Sequence, residues 1–358
     1  MTFSEAREFR LRLAGDRKGE HMNRAALTRL LLLSLSAWCL LGHHQSGQGL
    51  AQNPPYVHEG SIGDTSKKPT PPNSGPFQYI PITEWAGHKF IFLPKPKSLQ
   101  AYGYPEIYGG KGKFGLKRLS GTGWAAYAEC VGRIATVTEV TADRDDPNVY
   151  HVRLEMDDGG RVYKAAARGE VVEGIGLVAD IDAARSLWLG KTFWYGGDGL
   201  MTYNAETGEY GTVKLRRYSA VKVVDIVAGF EDFEPVRLIL QASEGSTGFQ
   251  DIPVSGTNTS DSLREKGSGM FDKLFLIEDP RKVHAWSSEV WSAIESRTVF
   301  VGMTAEQVRF SLGDPTEINT TAVQGVIHEQ WVYRLGLKES QHTILVYLEN
   351  GVVTAVQI

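Results

Sequence analysis

Over most of its length the chain alternates apolar and polar residues in short runs broken by glycine, and it changes to helical spacing only near the C-terminus. Ile134, Thr136, Thr138 and Val140 share one face opposite Ala135, Val137 and Glu139, the period of a half-buried strand. Asp157-Asp158-Gly159-Gly160 reads as a turn between strands over 152–156 and 161–165. The pattern occurs twice. Trp85-Ala86-Gly87-His88-Lys89-Phe90 is echoed by Trp188-Leu189-Gly190-Lys191-Thr192-Phe193, and similar strand runs follow each, a period of about 100 residues. Each copy reads as five or six short strands joined by Gly-rich turns, which favours a small barrel. Residues 180–187 read as a short connecting helix.

From 279 onward the spacing changes. Asp279-Pro280 opens a predicted helix whose stripe is Val283, Trp286, Val290 and Ile294, widened by Trp291. Thr304 and Gln307 have capping-box spacing ahead of the apolar pair Val308 and Leu312, and Gly313 with Pro315 closes this second helix. Strands follow over 326–333 and 342–349. Asn350-Gly351 then predicts a hairpin turn into a last strand over 352–358. On 343–349, Ile344, Val346 and Leu348 point one way and Leu345 and Tyr347 the other. One face must cover the helices. The second, with Val332 from the neighbouring strand, is either a docking surface for a partner (Val332, Leu345 and Tyr347) or packs on the chain's own second barrel.

Gly302-Met303-Thr304, Gln307-Val308, Leu312-Gly313-Asp314-Pro315, Glu329-Gln330-Trp331-Val332-Tyr333 and Tyr347-Leu348-Glu349-Asn350-Gly351 together resemble the SmpA/OmlA (BamE-like) family over about residues 283–358. The resemblance implies a two-layer α/β module, two helices on an antiparallel sheet, that binds other envelope proteins without catalysis. The middle of the chain more loosely resembles tandem SH3-like barrels. The expected fold class is therefore multidomain, mainly β plus α+β: two SH3-like β-barrels followed by the BamE-like module. The expected domains are an N-terminal extension and signal peptide over 1–51, a Pro/Gly/Ser-rich linker over 52–80, barrels over 81–180 and 181–278, and the BamE-like domain over 279–358.

Arg24 and Arg29 precede an apolar run over 30–42, the length of a signal-peptide core and too short for a comfortable span. Gly49-Leu50-Ala51 offers small residues at a cleavage site, so export with cleavage near Ala51 is expected, with translation starting at Met1 or Met22. Trp38 stands where a lipid-attachment box needs a small residue, so no lipid anchor is expected at Cys39. The linker holds Pro54, Pro55, Pro69, Pro71, Pro72 and Pro76 and reads as an extended tether. The formal net charge is −4, and residues 1–51 carry seven Lys/Arg against four Asp/Glu, so the remainder is more acidic still. That balance opposes a nucleic-acid partner.

The candidate chemistry is thin. Gly110-Lys111-Gly112-Lys113-Phe114-Gly115 matches a glycine-loop spelling but lies among strands, so an exposed basic loop is expected, with Lys111, Lys113, Lys117 and Arg118 positioned to meet phosphate head groups or acidic cell-wall polymer. The histidines His58, His88, His151, His284, His328 and His342 lack zinc-helix spacing, and Asp143, Asp145 and Asp146 lack the rest of a calcium loop. Ser120 lacks the glycine two positions earlier that a nucleophile elbow requires. Cys130 reads as a core thiol. The expectation is a non-catalytic envelope protein of the periplasm or the periplasmic face of the outer membrane, with no cofactor and no metal. Its partners would be envelope proteins, with cell-wall polymer or lipid head groups as further candidates, and its role would be to assist outer-membrane protein assembly or envelope integrity. The alternatives are a glycan-binding protein using the barrels and an enzyme with a dispersed site.

Overall fold

A computed structural model describes residues 76–109, 123–267, 269–335 and 342–358. The expected signal peptide, the cleavage site, Cys39, most of the linker and the 110–118 basic loop lie outside the described residues. The described chain divides into two compact units, meeting at Ala285 and Trp286.

The unit ending at Ala285 holds two seven-stranded sheets. The first comprises β1 (Lys89–Phe92), β2 (Tyr104–Gly109), β3 (Trp124–Ala125), β4 (Ile134–Ala142), β5 (Val149–Met156), β6 (Val162–Arg168) and β7 (Ile175–Leu177), in the order β3-β2-β6-β5-β4-β1-β7. The second comprises β8 (Thr192–Tyr195), β9 (Gly199–Tyr203), β10 (Tyr210–Lys214), β11 (Ser219–Glu231), β12 (Glu234–Ala242), β13 (Thr247–Ile252) and β14 (Phe275–Leu276), in the order β10-β9-β13-β12-β11-β8-β14. Taken strand for strand, the two orders are the same.

One local device recurs with them. Gly87 (φ 88°) and Gly190 (φ 78°) turn the chain into β1 and β8 with a left-handed backbone that side chains resist. Gly87 N–H donates to the Val137 carbonyl and Gly190 N–H to the Val223 carbonyl, both at 2.8 Å. The aromatics of the repeated motif enter the two cores: Trp85 lies 4.6 Å from Phe90, and Trp188 stacks at 4.0 Å on Phe271. Helix α1 (Val178–Trp188) joins the sheets and buries Ile181, Ala184 and Trp188.

A polar segment over 255–259 locks the second sheet to the first. The Asn258 carboxamide accepts from the Val172 N–H and donates to the Val172 and Ile175 carbonyls. Thr257 Oγ1 accepts from Ile80 N–H at 3.0 Å, and Ser255 Oγ donates to Asp180 at 2.6 Å. Arg264 pairs with Glu170 at 2.6 Å and lies 3.7 Å over the Tyr79 ring. Ser255, Thr257 and Asn258 are buried, so each must find a protein partner.

In the other unit, α2 (Ser288–Glu295) and α3 (Ala305–Leu312) precede β15 (Glu317–Val323), β16 (Val326–Leu335), β17 (His342–Glu349) and β18 (Val352–Gln357), a meander in that order. The capping box at Thr304 forms: its hydroxyl accepts from Gln307 N–H at 3.3 Å, and Gln307 Oε1 accepts from Thr304 N–H at 2.9 Å. Gln324-Gly325 and Asn350-Gly351 turn with positive φ throughout. Trp331, Val346, Leu348 and Val353 are buried on the inner face, and the Arg309 guanidinium lies 4.4 Å over the Trp331 ring.

The expected fold class is overturned. The molecule is built on three antiparallel sheets, two of them seven-stranded where barrels of five or six strands were expected. The added strands include β3 and β14, of two residues each, too short to show any alternation. The C-terminal unit is a strand-dominated meander with two eight-residue helices, without the two-layer α/β arrangement. The predicted stripe from Val283 to Ile294 is also not one helix. A turn of helix over Pro280–Val283 stops at His284, and Ser287 caps a fresh helix by accepting from Val290 N–H. Val283 is left exposed.

Candidate functional site

The C-terminal sheet places Val332 directly opposite Leu345, and Tyr347 between Gln330 and Ala355. The three residues share the outer face, as the alternation requires. Val332 is buried; Leu345 and Tyr347 are half-buried. The surroundings of Tyr347 are polar. Asn319 Nδ2 donates to Gln330 Oε1 at 3.1 Å, Gln330 Nε2 donates to the Tyr347 hydroxyl at 3.1 Å, and that hydroxyl donates to Gln357 Oε1 at 3.4 Å. One residue from each strand thus forms an amide–hydroxyl ladder from β15 to β18. Leu345, opposite the buried Val332, adds one half-buried apolar position beside it. Such a face sets side-chain amides and a phenol ring in one row across the sheet.

A second concentration of chemistry lies inside the larger unit, where the β11–β12 hairpin tip meets the first sheet. Burial pushes the Glu231 carboxyl up to about 8, with Asp232 and Asp251 adding repulsion. Asp232 rises to about 7 for the same reason, with Glu173 adding, and Glu234 is driven well above the carboxylate range. Lys95, buried and 3.9 Å from Glu173, is pushed down by desolvation. Arg237 chelates Asp251 through two 2.6 Å bonds while lying 3.8 Å and 3.7 Å from the Phe230 and Phe249 ring centroids. Asp180, buried against Ser255, also rises to about 7. No group of three or more His, Cys, Asp or Glu among the described residues has the arrangement of a metal site.

The remaining candidates are spread apart. Cys130 is buried with its thiol 3.4 Å from the Tyr163 hydroxyl, and burial raises its pKa, the opposite of a nucleophile's need. Asp143 accepts from the backbone of Asp145 and Asp146 and holds His151 at 2.7 Å, a loop closed on itself. His328 sits 3.4 Å from Glu349 on the C-terminal sheet. Two open depressions lie in the larger unit, one of about 490 Å³ beside Glu129, Arg133, Arg161 and Tyr163 and one of about 410 Å³ beside Trp194 and Ile277. No described helix is long and apolar enough to cross a membrane.

Asn258, Arg237 and the Asn319–Gln330–Tyr347–Gln357 ladder escaped the sequence reading. Only the ladder left a trace, in the placement of Tyr347 on the outer face. No protein-family model, curated protein or solved structure matches the chain.

Proposed function

We propose that this chain is an exported, non-catalytic binding protein of a bacterial envelope that engages a protein partner through the outer face of its C-terminal sheet. The observation that carries the reading is the ladder beside Leu345: four strands align amide and phenol groups next to a half-buried leucine on one antiparallel sheet. The apolar run over 30–42 and the short motifs that resemble the SmpA/OmlA family support the location and the mode of action. In the larger unit, Asn258 and the Arg237–Asp251 pair are engaged in bonds that hold that unit together.

The test places a photo-reactive phenylalanine analogue at Leu345 or Tyr347 of the full chain in cells, with Thr354 as the control position. The expected result is a cross-link to an envelope protein from 345 and 347 that Gln330→Ala weakens. Retention on peptidoglycan with no protein cross-link at either position overturns the reading in favour of glycan binding. Tyr347→Glu separates recognition from packing. At a half-exposed position it costs about 1 kcal/mol or less yet abolishes the cross-link.

A further inference from the structure

Sheets in this chain close their edges in different ways. β3 and β14 are two residues long and β7 three, and β10 ends on Lys214; short strands and lysines are the usual means of discouraging further pairing. β15 uses neither. It is seven residues long, every residue is exposed, and from Ile318 to Val323 it holds no charge, no proline and no register shift against β16.

Its hydrogen-bonding phase follows from the hairpin. Val323 and Val326 close a two-residue turn, which makes them a hydrogen-bonded pair. Bonded and non-bonded pairs alternate along an antiparallel ladder. Glu317, Asn319, Thr321 and Val323 therefore turn their peptide groups toward β16, and Ile318, Thr320 and Ala322 turn theirs to the open edge.

We propose that two copies of this chain join edge to edge through β15, antiparallel about a two-fold axis at Thr320. In that register Ile318 faces the partner's Ala322, Thr320 faces the partner's Thr320, and every outward-directed peptide group of Ile318, Thr320 and Ala322 is bonded. No shift of the register satisfies all of them. The side chains agree. Ile318 and Ile327 are each 42% exposed on one face of this edge, with Ala322 opposite Ile327. The symmetric mate covers all three. On the other face Asn319 meets the partner's Thr321, continuing the polar ladder across the joint, and Glu317, paired with Arg334, meets the partner's Val323 rather than a like charge. A second copy is the occupant because the strand is self-complementary about its centre and carries no charge there to select a different chain. The joint lengthens the face that carries Tyr347 but draws on the edge of β15, so it stands whether or not a protein partner engages Tyr347.

The experiment is sedimentation velocity of the full chain across a concentration series, with Thr320→Lys as the first variant. The lysine sits opposite Glu329 within the chain, where it is tolerated, but opposite its own copy across the axis, where like charges repel. The expected result is a concentration-dependent dimer whose dissociation constant rises at least about tenfold in the variant, with an unchanged circular dichroism spectrum. Independently, Thr320→Cys in a Cys39→Ser background should form a disulfide-linked dimer on mild oxidation. Directly opposed residues approach about 5.5 Å between Cα atoms, within disulfide reach, and Cys130 is buried. Thr354→Cys should not cross-link. A chain monomeric at every concentration, a dimer indifferent to Thr320→Lys, or no cross-link at 320 each overturns the proposal.

Discussion

Asn258 grips Val172 at both of its peptide groups: Oδ1 accepts from the Val172 N–H at 2.7 Å, and Nδ2 donates to the Val172 carbonyl at 2.9 Å. The same nitrogen donates to the Ile175 carbonyl at 2.7 Å. Asn258 is 1% exposed and adopts φ 61°, a conformation that asparagine tolerates better than most residues. Asn258→Ala strands these buried peptide groups and is expected to cost about 3 kcal/mol, read from urea denaturation of the full chain. Asn258→Asp keeps the acceptor, loses both donor contacts and introduces a buried charge, and should fare no better.

Arg237 and Asp251 are a buried pair, with side chains 8% and 13% exposed, and the guanidinium is flanked by two phenyl rings. Arg237→Met leaves Asp251 without its counter-charge and is expected to destabilise by about 3–5 kcal/mol. Adding Asp251→Leu to Arg237→Met removes the orphaned charge and should recover most of that loss. Denaturant midpoints of the two single variants and the double variant check this: additive losses would show that the pair is not coupled.

Stability should fall as the solution becomes alkaline. Burial holds the carboxyls of Asp180 and Asp232 near about 7 and that of Glu231 near about 8. In the unfolded chain such groups titrate near about 4. Folding therefore takes up protons between those limits. The stabilisation these groups carry is complete below about pH 4 and is lost as pH rises through 7 to 8. Asp157, held low by its bond to Lys89, and Asp143, held low by the Asp145 N–H, act in the opposite sense, losing stability only as pH falls below about 4. Urea midpoints at about pH 5 and about pH 8.5 should therefore decline, and the Glu231→Gln, Asp232→Asn double variant should decline less.

What could be read along the chain was what neighbours in sequence decide. The Thr304–Gln307 capping box, the Asn350-Gly351 turn and the paired Trp–Gly–Phe motifs each depend on a few consecutive residues. Alternation placed Leu345 and Tyr347 on one face but could not bring Gln330 and Gln357 to the phenol, because strand register settles that. The stripe through Val283, Trp286, Val290 and Ile294 misled because the first turn of helix ends at His284 and the Ser287 cap starts another. Asn258 was silent: its partners lie 86 and 83 residues away, and Gly256-Thr257-Asn258 spells only a loop.

The polar stitching between the sheets has a practical corollary. Although the chain repeats one strand order, it cannot be cut into two working halves at the joint. A fragment ending at α1 would lack Asn258, Thr257 and Arg264, and would leave the amide of Ile80, the carboxylate of Glu170 and the backbone of Val172 and Ile175 stripped of their mates. Partial expression of the gene should therefore preserve residues 76–285 as one indivisible piece.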